Sequence, residues 1–247
     1  KHLIEGLGKI QRELGRKKFD FRHLLFLRSD IYEKLVEETS DRGKYNVINI
    51  DWSSPEQLSH LLRERVVTGL DGDDAEAAWA AVNPEIGGKA AVSVMVDHSL
   101  RRPRFLVDLA ERVLSSAINR GQDSVSEDDL SEGVRQMSLY LVSDFGYEMR
   151  DIAGTPEDIF YLFIGAAEIM TESQITERLA TMEIGLSSEE TIDLMLWYGF
   201  LGIVNANGES VFIYDREYDF RRLDAERRKV GEEKRYAINQ AFLIGLN

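Results

Sequence analysis

Leu24-Leu25-Phe26-Leu27-Arg28-Ser29-Asp30-Ile31-Tyr32 decides how the amino-terminal part of this chain is read. Four consecutive apolar residues, preceded by Phe21-Arg22-His23, predict a short buried strand over residues 22–27. A short helix is expected from Ile31 to Glu38. The strand would deliver an arginine and an aspartate at its carboxyl end, where open α/β sheets bind their ligands. Arg28 is therefore a candidate phosphate contact. The same residues also read as an Arg28–Asp30 pair capping the helix that follows.

The flanking sequence extends this pattern. Leu3, Ile4, Leu7, Ile10 and Leu14 recur at helical period. Asp41-Arg42-Gly43-Lys44 reads as a turn and residues 46–50 as a second strand. Ser53 or Ser54 would cap the next helix, with Pro55 in its first turn and Leu58, Leu61, Leu62 and Val66 facing inward. Helix–strand–helix–strand–helix is half of a doubly wound sheet. Two strands cannot bury a sheet alone, so further strands are expected from elsewhere. Residues 1–70 thus read as the carboxyl-terminal portion of an α/β core.

Beyond Gly69-Leu70-Asp71-Gly72, residues 71–150 read as helical. Short helices over 74–82 and 90–97 flank the loop Asn83–Gly88. Pro103 starts a long helix to about Asn119, which Gly121 would end. Ser126-Glu127-Asp128-Asp129 opens another helix with a Ser-x-x-Asp cap, reaching about Tyr147. Residues 151–247 form a third block. Helices over 156–169, 173–182 and 188–198 precede Leu201–Val204, Asn205-Ala206-Asn207-Gly208 and a strand at 210–214, a hairpin signal. Three helices and a hairpin are the order of a winged-helix domain. A closing helix is expected over 233–246. The fold class is mixed α/β and mostly helical, with a partial sheet, a helical bundle and a winged helix.

Composition sets limits on function. The 247 residues carry a net charge of −14, which disfavours nucleic acid as a partner unless cations are gathered locally. The basic clusters are Arg12/Arg16/Lys17/Lys18/Arg22, Arg101/Arg102/Arg104 and Arg221/Arg222/Arg227/Arg228/Lys229. The first and third read as solvated faces. There is no cysteine, so disulfides and thiolate metal sites are excluded, and a cytoplasmic setting is expected. Four scattered histidines lack metal-ligand spacing. No apolar run approaches the roughly 18 residues of a membrane span. The chain begins Lys1-His2, which reads as a fragment or a processed chain. Gly87-Gly88-Lys89-Ala90 lacks the hydroxyl and the glycine spacing of a phosphate-binding loop and reads as an ordinary loop. No Gly-x-Ser-x-Gly, His-Glu-x-x-His or strand-end acidic pair is present, so no complete active site is legible.

Three strings nevertheless share one order. They are Leu25-Phe26-Leu27-Arg28-Ser29-Asp30-Ile31-Tyr32 with Ile50-Asp51-Trp52; Leu100-Arg101-Arg102-Pro103-Arg104; and Tyr198-Gly199-Phe200-Leu201-Gly202 with Phe212-Ile213-Tyr214-Asp215 and Arg235–Phe242. Together they resemble the carboxyl-terminal half of a bacterial AAA/STAND-like P-loop ATPase, without its Walker A and Walker B segments. The resemblance implies that Arg28 is a sensor residue at a strand end. It implies that Arg102 and Arg104 are nucleotide-contacting candidates at the start of a lid helix. It further implies ATP and Mg²⁺ as cofactors, held only with an upstream segment. The expected role is the sensor, lid and winged-helix part of an ATP-dependent conformational switch that does not hydrolyse ATP alone.

Its expected partners are its own upstream ATPase half and a protein partner or a second copy. A guanidinium forks onto phosphate oxygens, and Pro103 would hold the flanking arginines near a helix start that attracts anions. The simpler reading pairs these arginines with Asp97 or Asp108. The rival function is a non-catalytic winged-helix interaction module. DNA binding ranks third, because the candidate reading helix, Ser188–Met195, is acidic and the hairpin carries no lysine or arginine.

Overall fold

The computed structural model describes residues 2–27, 32, 48, 50–231 and 233–247. They fall into two compact units, residues 1–50 and 51–247. In the first unit helix α1 (His2–Arg16) follows the expected period. The strand expected over 22–27 is not formed: Leu24 and Phe26 are 86% and 79% exposed, and residues 21–27 join no ladder. An apolar run becomes a strand only where a neighbour pairs its backbone and covers its faces, and no described residue does so. Arg28, Asp30, the helix expected over 31–38 apart from Tyr32, and most of the second strand lie outside the described residues.

The second unit is mixed α/β and mostly helical. Helix α2 (Pro55–Val67) starts as its sequence demands, with Pro55 in the first turn and the Ser54 hydroxyl accepting from the Gln57 amide at 3.4 Å. Helix α3 (Gly72–Val82) leads to a two-residue hairpin, β1 (Glu85–Ile86) and β2 (Lys89–Ala90). Gly87 and Gly88, both at positive φ, form its turn, so the Gly-Gly-Lys string is a hairpin bend. Helices α4 (Ala91–Asp97), α5 (Pro103–Asn119) and α6 (Glu127–Ala153) complete the helical part.

Helix α6 organises the unit. Leu130, Val134, Met137, Leu141, Phe145 and Met149 recur every three or four residues and are buried. One side packs on α5 through Val113, where Gly133 leaves room that a Cβ would take from the Val113 side chain. The other side packs on helix α10 (Gln240–Leu246), where Gly245 lies against the Ser138 carbonyl. The boundary expected at 150/151 falls inside α6, and one continuous apolar core runs from Leu58 to Leu246.

The carboxyl-terminal part opens with a 3-10 turn, Ile159–Phe163, where a helix over 156–169 was expected. Its Ile159, Phe160 and Phe163 are fully buried, so the apolar spacing is used by a tighter turn. Then come β3 (Ile169–Thr171), α7 (Glu172–Leu179), α8 (Ser188–Trp197), β4 (Leu201–Val204), β5 (Ser210–Val211), a 3-10 turn Ile213–Arg216, α9 (Phe220–Arg227) and β6 (Arg235–Ile238). The antiparallel sheet has the order β3-β6-β4-β5, with Tyr236 opposite both Met170 and Ile203. The helix expected over 233–246 is instead strand β6 plus helix α10. Buried Asn239 separates them, its side chain accepting from Ala241 N at 3.0 Å and donating to Gly199 O at 3.0 Å.

Gly146→Ala should destabilise the protein by about 2 kcal/mol or more, despite alanine's better helix propensity. The added Cβ would strike the backbone carbonyl of Glu157. Denaturant melts with an unchanged midpoint would contradict this packing. Fully buried Asp129 supplies a pH test. Burial alone would raise its pKa, but hydrogen bonds from Ser126 and Ser116 more than offset that and hold it below the ordinary value. Its stabilising contribution should be complete above about pH 5 and disappear as pH falls through the lowered folded-state pKa. The stability gap between wild type and Asp129→Asn should therefore close on acidification, as measured by melts from pH 7 to 2.

Candidate functional site

The Arg-Pro-Arg start of α5 is held by contacts far away in sequence. Leu100 and Arg101 both adopt left-handed backbone, with φ of 52° and 48°. Glu217 and Tyr218 form a second left-handed pair, at 53° and 59°. Such conformations cost of order 1 kcal/mol per residue and persist only where surroundings enforce them. Here the two turns meet: the Tyr218 hydroxyl donates to the Leu100 carbonyl at 2.9 Å. Arg101 reaches Asp215 at 3.1 Å and lies 4.6 Å over the Tyr214 ring.

Arg102 points inward. Its guanidinium donates to Glu148 of α6 at 2.9 Å and lies over the rings of Phe145, Phe105 and Tyr198 at 4.9, 5.4 and 5.8 Å. Burial would depress its pKa; Tyr218 and Glu148 outweigh that, so it remains charged. The aromatic faces and the carboxylate together replace the water that the cation loses. Arg104 is different. It is exposed in the first turn of α5 and has no ion-pair partner among the described residues. The structure thus separates the two lid candidates, one braced inside and one facing solvent, and Arg28 lies outside the described residues.

The local partners suggested by spacing are not used. Asp108 pairs with Arg112 at 3.2 Å, and the Asp97 carbonyl accepts from Gln240. Glu148, Asp215, Tyr214 and Tyr218 are the partners that spacing could not reveal, since they lie about 45 to 120 residues away. The one local signal was Arg102-Pro103, because proline disfavours right-handed helix at the residue before it, and Arg102 is extended.

Beside this joint opens a cleft of about 690 Å³, lined by Asp51, Glu56, Arg101, Glu209, Asp215 and Arg216 among others. Arg101 is engaged by Asp215 and Arg216 by Glu226, so carboxylates dominate its wall. Among the described residues no group of three or more His, Asp or Glu side chains could hold a metal ion.

Helix α8 turns one face into the core and leaves Glu189 and Glu190 exposed on the other. Thr191, Ile192, Met195 and Leu196 are buried. Arg227 of α9 meets Asp193 at 2.6 Å and Asp224 at 2.6 Å, and the Trp197 and Phe220 rings lie 5.5 Å apart. Burial raises the Asp193 pKa, with Arg227 pulling it back down.

Comparison with known proteins gives two likenesses. Residues 56–146, from α2 through most of α6, match a family described as the FunZ-associated C-terminal helical domain. A transposon gamma-delta 80.3 kDa protein of Escherichia coli (strain K12) is 24% identical over 266 aligned positions, covering 99% of this chain. The chain spans 37% of the length of that relative. No solved structure matches.

The inward brace can be measured. Glu148→Ala should cost about 2 kcal/mol by leaving the Arg102 charge without its carboxylate. Arg102→Met combined with Glu148→Leu should cost less than the sum of the two single changes. Additive losses in urea melts would show that the pair is not coupled.

Proposed function

We propose that this chain is the lid and winged-helix part of an ATP-dependent conformational switch whose phosphate-holding loop lies elsewhere in the protein. The observation that carries this reading is the contrast at the start of α5. Arg104 faces solvent at the amino terminus of a 17-residue helix, while its neighbour Arg101 ties that helix start to Asp215 of the carboxyl-terminal part and Arg102 ties it to Glu148 of α6. A helix start favours anions, and a guanidinium forks onto phosphate oxygens. A phosphate drawn to Arg104 would therefore pull on both parts together. In this reading Arg28 and Arg104 contact nucleotide and Arg102 positions Arg104.

Three further observations support it. Two helices between β3 and β4, a hairpin β4–β5, and β6 lying between β3 and β4 suit a winged helix with an insertion before β6. The exposed apolar run at 24–27 suits a strand awaiting the rest of a sheet. The matched relative is much longer than this chain, which leaves room for such a sheet. In this reading Arg104 would meet the phosphate end of a nucleotide, and the ligands of its magnesium would come from the rest of the protein. The relative's name connects that protein with a transposon, and we assign this chain to the same setting of mobile DNA.

A second reading is a non-catalytic interaction module. It is favoured by the carboxylate-rich cleft, which suits a basic segment of a partner protein or of a second copy. The test uses the full-length protein. Arg104→Ala and Arg28→Ala should each weaken Mg²⁺–ATP binding about tenfold, the loss of one charge-assisted contact. Arg102→Lys should retain binding and lower turnover. Unchanged ATP affinity in both alanine variants, or partner binding with no nucleotide dependence, would overturn the switch in favour of the module.

A further inference from the structure

Helix α9 is inserted between β5 and β6, and its two faces differ in kind. Leu223 is fully buried on the inner face, Arg227 reaches Asp193 and Asp224, and Phe220 packs on Trp197. The outer face presents Arg221, Arg222 and Ala225, continued by Arg228 and Lys229 in the turn that follows, and all five are exposed. At 3.6 residues per turn Arg221, Arg222 and Ala225 fall in one arc of about 100°. Asp219, Asp224 and Glu226 fall outside it. Glu226 is held by Arg216 at 2.6 and 2.8 Å, and Asp224 touches Arg228 from the edge at 2.6 Å, leaving that side chain 78% exposed. In a chain of net charge −14 these cations are segregated on one rigidly anchored surface.

We infer that the outer face of α9 binds the phosphate backbone of double-stranded DNA. The chemistry of the face selects this occupant. It holds guanidinium and ammonium groups around a small central alanine, which lets the helix approach a polyanion closely. It has no aromatic or large apolar side chain, which the centre of a protein interface would need. It offers no ring for stacking an unpaired base, which disfavours single strands. It has no Asn or Gln, the usual partners of adenine edges, and the contact proposed for its cations is with phosphate oxygens. The contact requires neither nucleotide nor helix α8.

The test is fluorescence anisotropy of the 247-residue chain with a labelled 20-base-pair duplex between 25 and 200 mM NaCl. Three cations, Arg222, Arg228 and Lys229, predict a slope of log affinity against log salt of about −2.7. Arg222→Ala combined with Lys229→Ala should flatten that slope by about 2 and weaken binding about tenfold at 50 mM salt. Thermal melts should be unchanged, because both side chains are exposed. The paired control Arg12→Ala and Arg16→Ala, on α1, should leave binding intact. No binding at 25 mM salt, wild-type binding by the α9 variant, or equal competition by polyglutamate would each overturn the proposal.

Discussion

The ring of Phe145 is the contact on which the second unit depends. It stands edge-on to Phe105 at 5.6 Å and to Tyr198 at 5.6 Å, and lies against Phe242 at 5.9 Å and Phe160 at 6.0 Å. Those four rings come from α5, the end of α8, α10 and the 3-10 turn. One side chain of α6 therefore closes the helical part and the sheet part onto the same core. Phe160, Phe200 and Phe242 extend the cluster, with centroids 4.6 to 5.4 Å apart. Aromatic pairs at such spacings add to burial through the fit of ring edge to ring face. Arg102 then uses an outer face of the cluster as the bed for its cation, so the position of the α5 start follows from the core beneath it.

Much of this was legible where local physics is strong. Pro103 and Gly121 bracket α5 at the expected bounds, and Ser126 with Asp129 form the capping box that opens α6. The Ser54–Pro55 start of α2, helix α8 and the hairpin at 201–211 also follow from caps, period and turn residues. Legibility failed where the same pattern serves two structures. Tyr236, Ile238, Phe242 and Leu246 are spaced acceptably for one helix, yet Asn239 ends a strand and begins a helix among them. Ile159, Phe160 and Phe163 show helical spacing within a single 3-10 turn. Leu24–Leu27 reads as a buried strand, but burial requires a partner that no described residue supplies.

The candidate site was legible only in part, for a related reason. Sequence spacing shows charged residues and helix starts, and it does not show which acid a distant fold delivers. Arg102 and Arg104 are alike in the string Arg102-Pro103-Arg104. Their difference arises from Glu148 and three rings on one side and open solvent on the other. The cations of α9 were visible as a cluster and read as a solvated face; spacing did not show that Arg227 turns inward to Asp193 and Asp224 while the others stay exposed.

The bond between Tyr218 and Leu100 joins residues 118 positions apart, and this implies an order of events during folding. The left-handed pair at Leu100–Arg101 is uphill until Tyr218 and Asp215 arrive, so the helices from α2 to α6 assemble around an unsettled corner. Local helical contacts form quickly, whereas closing so long a loop is slow. The corner is thus completed late, as the insertion between β5 and β6 docks. A growing chain that has not yet reached Asp215 and Tyr218 lacks the two contacts that hold Leu100 and Arg101 in left-handed backbone.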